Sequence, residues 1–491
     1  MSLIDLWDCK NLIIIMSDYR AILKHSKNYL FAVIGTKALA FISLPVYTHL
    51  LAVEEYGIYN VFISTIGIAT VLLTLNTEVA ISRYFYDAKS DADFKSFVGT
   101  SSLLTIVVFG VMASILVIFR NDFSAFLNLE VPLVLAIIPV SLYYVINSVF
   151  QQIYQPSLQS KKIAIVTSVQ SYLAFILSVV VILLLKEKKY YGQVVGTLMA
   201  MIILGAYLIK QIKVYYSASF KKNFIKYILS YSLPYLPYSL SGVIIAQFGN
   251  IIIGQRAGFE NAGVYGFASN IAMLMMVLIS VVHSAWNPYY FQYMKDKDYD
   301  SLDKDYDLIW RITLLMGTML SLFCYEIGMI LGKSDYLTGL FVIPILVIGY
   351  CLYQWSYVYL RNSQYAKKNI WNAVVVITSG IVNVVMNSMV VDEFGIWGIS
   401  LSFSISYLIM CILSWWINRN ILHVYAPCVK NFFIPLLYTM PFFMVSIVLC
   451  RFDLGLLPNI LIKTLLCLML GGALFYKFRG KLSAILKNGR K

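Results

Sequence analysis

Glu54-Glu55-Tyr56-Gly57-Ile58-Tyr59 and Glu260-Asn261-Ala262-Gly263-Val264-Tyr265 decide how this chain is read. A shift of 206 positions puts Glu54, Gly57 and Tyr59 on Glu260, Gly263 and Tyr265. Each copy opens a long apolar run, 57–80 and 262–286. The same shift carries Tyr84-Phe85 onto Tyr290-Phe291, and Ser157, Lys161 and Lys162 onto Ser363, Lys367 and Lys368. Near that shift, Tyr191-Gly192 matches Phe394-Gly395. One Gly-x-Tyr match is cheap; several at one period, each at the same place relative to an apolar run, mark an internal duplication. The glycine is expected to allow a tight turn at the outer surface, and the aromatic to anchor the helix at the interface.

Working outward, runs of this kind fill the chain. The expected spans are 29–51, 57–80, 98–119, 131–154, 163–185, 192–209, 228–252, 262–286, 309–331, 338–360, 371–391, 395–417, 432–450 and 459–476. Each is long enough to cross a hydrocarbon core of about 30 Å. Backbone groups in lipid must pair internally, so such runs are helices, and their continuity argues against an alternating-strand barrel. Composition agrees: 60% of the 491 residues are hydrophobic and 13% charged, where a soluble chain carries about 25% charged. The mean hydropathy is +0.77. The expected fold is an all-α integral membrane protein of about fourteen transmembrane helices.

The net charge of +14 follows topology. With the N-terminus inside, only seven of the 38 Lys and Arg fall in outer loops, so both termini are expected in the cytoplasm. That distribution excludes a nucleic-acid footprint. Lys186, Lys188 and Lys189, in one outer loop, stand against the trend without an explanation in the sequence. The duplication then predicts two six-helix lobes in parallel repeat, 29–209 and 228–417, joined by a basic linker 210–227. That linker carries five lysines and no acid and suits an anionic inner leaflet. Two further helices over 432–476 and a basic cytoplasmic tail, 477–491, complete the chain. A cytoplasmic N-terminus is expected over 1–28; Met1 to Met16 do not read as a cleaved signal peptide, and Met16 is an alternative start that would make 1–15 an artefact. The seven cysteines show no C-x-x-C spacing, so neither a disulfide nor a metal site is assigned to them.

Leu44-Pro45-Val46-Tyr47-Thr48-His49-Leu50-Leu51 with Glu54–Tyr59, Ala80-Ile81-Ser82-Arg83-Tyr84-Phe85, and Trp286-Asn287-Pro288-Tyr289 together resemble the bacterial polysaccharide-biosynthesis flippases. The likeness runs from about Tyr19 to the end and is to O-antigen flippases of the Wzx type. That superfamily includes multidrug-extrusion antiporters and the lipid II flippase. The resemblance implies translocation of an undecaprenyl-diphosphate-linked oligosaccharide to the periplasmic leaflet of the inner membrane. It also implies a polymerase and a chain-length regulator as pathway partners, and no cofactor. The chain departs from the family at Gly249-Asn250, where many relatives carry an Asp-Arg pair in helix 7.

Charges inside spans cost about 2.5–3.5 kcal/mol each and need a reason. Lys37 either snorkels to the inner surface or faces a lumen that receives the diphosphate. Glu78 either pairs with Lys37 or takes up a proton, and its five-residue spacing from Arg83 is poor for a helical pair. Arg83 is a headgroup or gate candidate as well as an ordinary inner-surface cation. Arg256 and Arg311 sit near membrane boundaries, where each could line a cavity mouth. His283 reads as a packing or a titrating residue. Among amides, Asn147 and Gln151 share a helical face, as do Asn383 and Asn387, and Asn250 falls within helix 7. Glu326 needs a partner, and Lys463 is expected to snorkel outward.

Two motifs imitate metal sites. Asp91-Ala92-Asp93 has the D-x-D spacing but no soluble domain around it. Asp296 to Asp307 places acids like a calcium loop, yet Ser301 stands where the turn needs Gly. No nucleotide-binding or hydrolase motif occurs, so ATP hydrolysis in this chain is not expected to drive transport. Two rivals remain: a multidrug or ion antiporter, which should have an acidic lumen, and a membrane O-antigen polymerase or ligase. The second should carry a large periplasmic loop, and the longest outer loop here is about 120–131.

Overall fold

The computed structural model describes Leu39 and residues 42–157, 159–450 and 456–475. These are predominantly helical, with no strand among the described residues. In order they are α1 (42–50), α2 (Val53–Thr74), α3 (Ala80–Tyr84), α4 (Asp91–Ile118), α5 (Arg120–Leu127), α6 (Val131–Tyr154), α7 (Ser160–Leu184) and α8 (Tyr190–Lys213). There follow α9 (Lys222–Arg256), α10 (Phe259–Ala272), α11 (Leu274–Asp296), α12 (Tyr299–Leu322), α13 (Cys324–Leu331), α14 (Ile343–Tyr365), α15 (Asn369–Asn420), α16 (Val429–Leu449) and α17 (Leu456–Phe475).

Eleven of the described helical segments are long and apolar enough to cross a bilayer, or twelve if α12 and α13, bent by 58°, make one span. One of the eleven, the 52-residue α15, holds two expected spans. At about 1.5 Å per residue it would be more than twice as long as a hydrocarbon core is thick. Gly395, with φ 50° and ψ −133°, breaks it where the sequence separates 371–391 from 395–417. A side chain at that φ would be strained, so the turn role expected of this glycine is met here. The first expected span, 29–51, lies mostly outside the described residues, and the count of fourteen stays an expectation.

The chain divides into two compact units. Within the described residues the first unit draws on 42–43, 69–124 and 130–236, the second on 44–68, 125–129 and 237–475. In the first unit, α7 and α8 meet backbone to backbone. A Cβ at Gly192 would lie 2.7 Å from the Ile182 nitrogen, and one at Gly196 2.3 Å from the Ser178 nitrogen. Gly192 and Gly196 thus form a small-xxx-small seam. The linker between α8 and α9 is strapped to the N-terminal part of α4. Ser217 N–H donates to the Lys95 carbonyl at 3.1 Å, and Thr100 Oγ1 donates to the Ser219 carbonyl at 3.0 Å.

The second unit contains the start of α2 and all of α10, the two copies of the opening motif. Gly57 and Gly263 lie inside these helices and make no turn, which corrects the role expected of them. They are close-approach residues. A Cβ on Gly57 would sit 1.8 Å from the Phe259 carbonyl oxygen, and one on Gly263 would sit 2.1 Å from the Val53 carbonyl oxygen. Under the 206 shift Val53 maps to Phe259 and Gly57 to Gly263, so these two contacts exchange with each other. Gly266 against Asn60 Nδ2, at 2.5 Å, joins another pair of equivalent positions. A contact set that maps onto itself when its copies are swapped is the mark of a local two-fold relation.

Candidate functional site

In the first unit, Glu78 occupies a break in the polypeptide. Helix α2 stops at Thr74, Leu75 and Asn76 take left-handed φ values of 49° and 55°, and a 3₁₀ turn, Thr77–Val79, leads into α3. Positive φ at two successive non-glycine residues is a local strain of about 1–3 kcal/mol per residue, held by its surroundings. A hydroxyl network holds it here. Thr77 Oγ1 donates to the Thr74 carbonyl at 2.9 Å and lies 2.8 Å from Thr105 Oγ1, and Ser101 donates to the Thr77 carbonyl at 3.2 Å. Glu78 is 5% exposed; Ser148 Oγ on α6 donates to its Oε1 at 3.2 Å, and Oε2 has no partner.

Asn147, beside Ser148 on α6, is also buried, with Oδ1 unpartnered; Gln151, one turn on, is half-buried. Arg83 does not join this cluster. It lies at the surface and pairs with Asp87 at 3.5 Å, and Tyr227 donates to the same carboxylate at 2.7 Å. Lys37, the expected partner of Glu78, lies outside the described residues.

In the second unit, two of the candidate cations are neutralised. Arg256 pairs with Asp392 at 3.0 Å at the surface. Arg311 is 8% exposed, donates through Nε to Asp307 at 2.9 Å and through Nη1 to the Leu474 carbonyl at 2.7 Å. Asn383 and Asn387 are buried and run in a ladder: Asn387 donates to Asn383 at 3.0 Å, which donates to Ser406 at 3.1 Å. Asn250 is buried with Oδ1 unpartnered.

Lys463 corrects its expectation. It is fully buried and donates to both oxygens of Glu326, at 2.8 Å to Oε2. With an acid at that depth, pairing removes the reason to snorkel. Of Lys186, Lys188 and Lys189, Lys188 finds a reason, because it pairs with Glu130 at 2.6 Å and Tyr191 donates to the same carboxylate at 2.7 Å. Those two donors, Lys188 first, hold the Glu130 carboxyl below the usual carboxylate range.

His283 on α11 is brought together with residues the sequence reading passed over. Its Nε2 faces Gln354 Oε1 on α14, and its Nδ1 is buried without a partner. Both line a narrow pocket with Trp286, Tyr306, Ile309, Tyr357, Val358 and Arg361. Gln354, Tyr357 and Arg361 recur at the i, i+3, i+7 spacing of one helical face, a signal present in the sequence. Arg361 escaped notice because it falls just past an expected span, where a cation at the inner surface is unremarkable.

The motifs that imitate metal sites dissolve into helix starts and side-chain contacts. Ser90 caps α4 by accepting from Asp93 N–H, while Asp93 accepts from Tyr84 at 2.8 Å. Asp298 caps α12, Asp303 accepts from Tyr425, Asp305 from Trp286 at 3.0 Å, and Asp307 from Arg311. Among the described residues no group of three His, Cys, Asp or Glu could hold a metal ion.

Comparison with known proteins fits this architecture. A family model described as polysaccharide biosynthesis protein matches residues 22–294, more than half of the chain. Lsg locus putative protein 1 of Haemophilus influenzae is 25% identical over 307 residues, which cover 56% of this chain and 67% of that protein. An uncharacterized membrane protein of the same species is 22% identical over 288 residues, covering 56% of this chain and 66% of the relative. Among solved structures, the lipid II flippase MurJ in an inward closed conformation superposes with a TM-score of 0.70 at 13% identity, covering 92% of this chain and 99% of that one. An inward-facing multidrug resistance MATE family transporter of the MOP superfamily gives 0.57 at 16% identity, over 81% of this chain and 93% of its own. At such identities the likeness is one of fold. The chain is a multi-pass membrane protein with the fold of those transporters.

Proposed function

This chain belongs to the polysaccharide biosynthesis protein family, and from that premise we propose that it flips an undecaprenyl-diphosphate-linked repeat unit of O-antigen or a related polysaccharide across the bacterial inner membrane by alternating access. The observation that carries the reading is the family match on a chain with a flippase fold. The exchange symmetry of the Gly57 and Gly263 contacts supports two repeated halves working about one axis. The charge bias supports an orientation with both termini in the cytoplasm, where Arg83 and Lys37 meet an incoming diphosphate. Glu78, buried and half-partnered in a strained break, is the group best placed to couple a proton to the cycle. Glycosyl polymerisation on the far side, with a polymerase and its chain-length regulator, then consumes the product.

A cation antiporter is favoured only by the MATE likeness. It needs an acidic path, and Glu78 is the only acid among the described buried residues. Deleting the gene and labelling surface glycan tests the proposal. The expected result is loss of glycan, with undecaprenyl-linked single repeat units accumulating on the cytoplasmic leaflet. Normal glycan, or accumulation on the periplasmic leaflet, overturns it.

A further inference from the structure

Three cations are buried among the described residues, Arg311, Arg361 and Lys463, and one of them lacks an acid. Arg311 has Asp307 and Lys463 has Glu326. Arg361, 4% exposed at the inner end of α14, has no carboxylate within ion-pairing distance among those residues. Its Nη2 donates to Asn287, its guanidinium centre lies 3.9 Å from the Tyr290 ring centroid and 5.3 Å from that of Trp286, and its Nη1 is buried with no acceptor. Aromatic faces attract a guanidinium, but each contributes only about 0.5–2 kcal/mol. A buried charge without a counter-ion costs several kcal/mol. The site is short of one anion.

We infer that the pocket between α11, α12 and α14 binds a lipid-borne phosphate group, with Arg361 as its anchor and His283 as its second contact. Arginine presents a planar fork that matches phosphate oxygens, and the apolar walls strengthen the attraction by keeping water away. His283 supplies the other open group: Nε2 is engaged by Gln354, and Nδ1 lines the same pocket without a partner. In the tautomer that carries its proton on Nδ1, with the Gln354 amide turned to donate to Nε2, the neutral imidazole can donate to a phosphate oxygen. The pocket as it stands has no room even for a water molecule, so the anion enters only as its walls part; Tyr357 in that wall is only half-buried. The inner end of α14 falls on the side the charge bias assigns to the cytoplasm, at the depth of lipid phosphates. Two lipids carry such a group there: the diphosphate of the proposed substrate and the headgroup of an ordinary anionic phospholipid. The first source rests on the flippase reading; the site itself does not.

The test is native mass spectrometry of the purified full-length chain titrated with undecaprenyl diphosphate and, separately, with palmitoyl-oleoyl phosphatidylglycerol. Arg361→Gln should weaken binding at least tenfold, and Arg361→Lys by a smaller factor, since it keeps the charge and loses the fork. His283→Ala, which leaves Arg361 in place, should weaken it severalfold and serves if Arg361→Gln does not fold. A loss confined to undecaprenyl diphosphate assigns the pocket to the substrate; an equal loss for both lipids assigns it to headgroups. Affinities unchanged by Arg361→Gln and His283→Ala, or a wild-type chain that binds neither lipid, overturn the site. If phosphatidylglycerol binds through Arg361 while undecaprenyl diphosphate does not bind at all, the site stands and the flippase reading weakens.

Discussion

Replacing Gly57 with alanine puts a methyl carbon 1.8 Å from the Phe259 carbonyl oxygen and 2.8 Å from the Gly263 nitrogen. Carbon-to-oxygen contacts settle at about 3.3 Å or more, so α2 and α10 must separate by about 1.5 Å at the crossing. Both obstacles are backbone atoms, and no rotamer change relieves them. Overpacking of this kind costs about 1–3 kcal/mol. Gly263→Ala meets the Val53 carbonyl at 2.1 Å and needs about 1.2 Å of separation by the same reasoning. The two substitutions strain one crossing, and the displacement that accommodates the first nearly accommodates the second. Gly57→Ala/Gly263→Ala should therefore cost little more than Gly57→Ala alone, a coupling of at least about 1 kcal/mol in a double-mutant cycle. Denaturation of the purified protein by sodium dodecyl sulfate, followed by tryptophan fluorescence, gives the three free energies. Costs that add, or single variants within about 0.5 kcal/mol of wild type, refute the crossing.

Breaking the buried Glu326–Lys463 pair by Glu326→Gln or Lys463→Met alone should cost about 3–5 kcal/mol and lower membrane abundance on immunoblots. Glu326→Leu/Lys463→Met should recover most of that loss; a double variant as poor as the worse single removes the pairing argument. Cys324 and Cys450 hold their sulfur atoms 2.7 Å apart, so diamide, taking up the two thiol hydrogens, should link them. Peptide mass spectrometry should find that cross-link, and Cys450→Ser should abolish it. Glu130, whose carboxyl Lys188 and Tyr191 hold below the ordinary value, stabilises the fold above the unfolded pKa, and that contribution fades as pH falls through the folded one. Glu130→Gln should thus lower the melting temperature slightly at pH 7 and make no difference well below about pH 4; a gap that widens on acidification contradicts the assignment.

The spans were legible because lipid imposes one rule on every segment, and a run of apolar residues satisfies it without reference to any other part of the chain. Hence the expected limits 131–154 coincide with α6, and the second of the spans 371–391 and 395–417 begins at Gly395, where α15 breaks. The ends are less legible, since α9 runs past 228–252 on both sides to Lys222 and Arg256. A polar or aromatic residue can continue a helix as readily as it can leave the membrane. Side-chain partners are a different kind of fact. Glu326 and Lys463 are 137 residues apart, and Cys324 and Cys450 are 126 apart. No periodicity links such positions, so each charge had to be judged alone, and a lone lysine in a span reads as a snorkelling one.

The repeat is the one place where the sequence carries long-range information. A duplicated motif predicts shared environments for its copies, which is how the glycines came to be assigned one role. It also constrains contacts. If two copies meet across an axis that relates them, any touch between position i of one and j of the other implies the touch between j and i. Gly57 against Phe259 and Gly263 against Val53 are such a couple. Their spacing of four residues within each copy, Val53 to Gly57 and Phe259 to Gly263, is one helical turn. A glycine one turn beyond a residue whose carbonyl must be approached closely is what a backbone-to-backbone crossing requires. A single Gly-x-Tyr motif implies only a local turn; two copies that meet across the axis relating them imply the crossing.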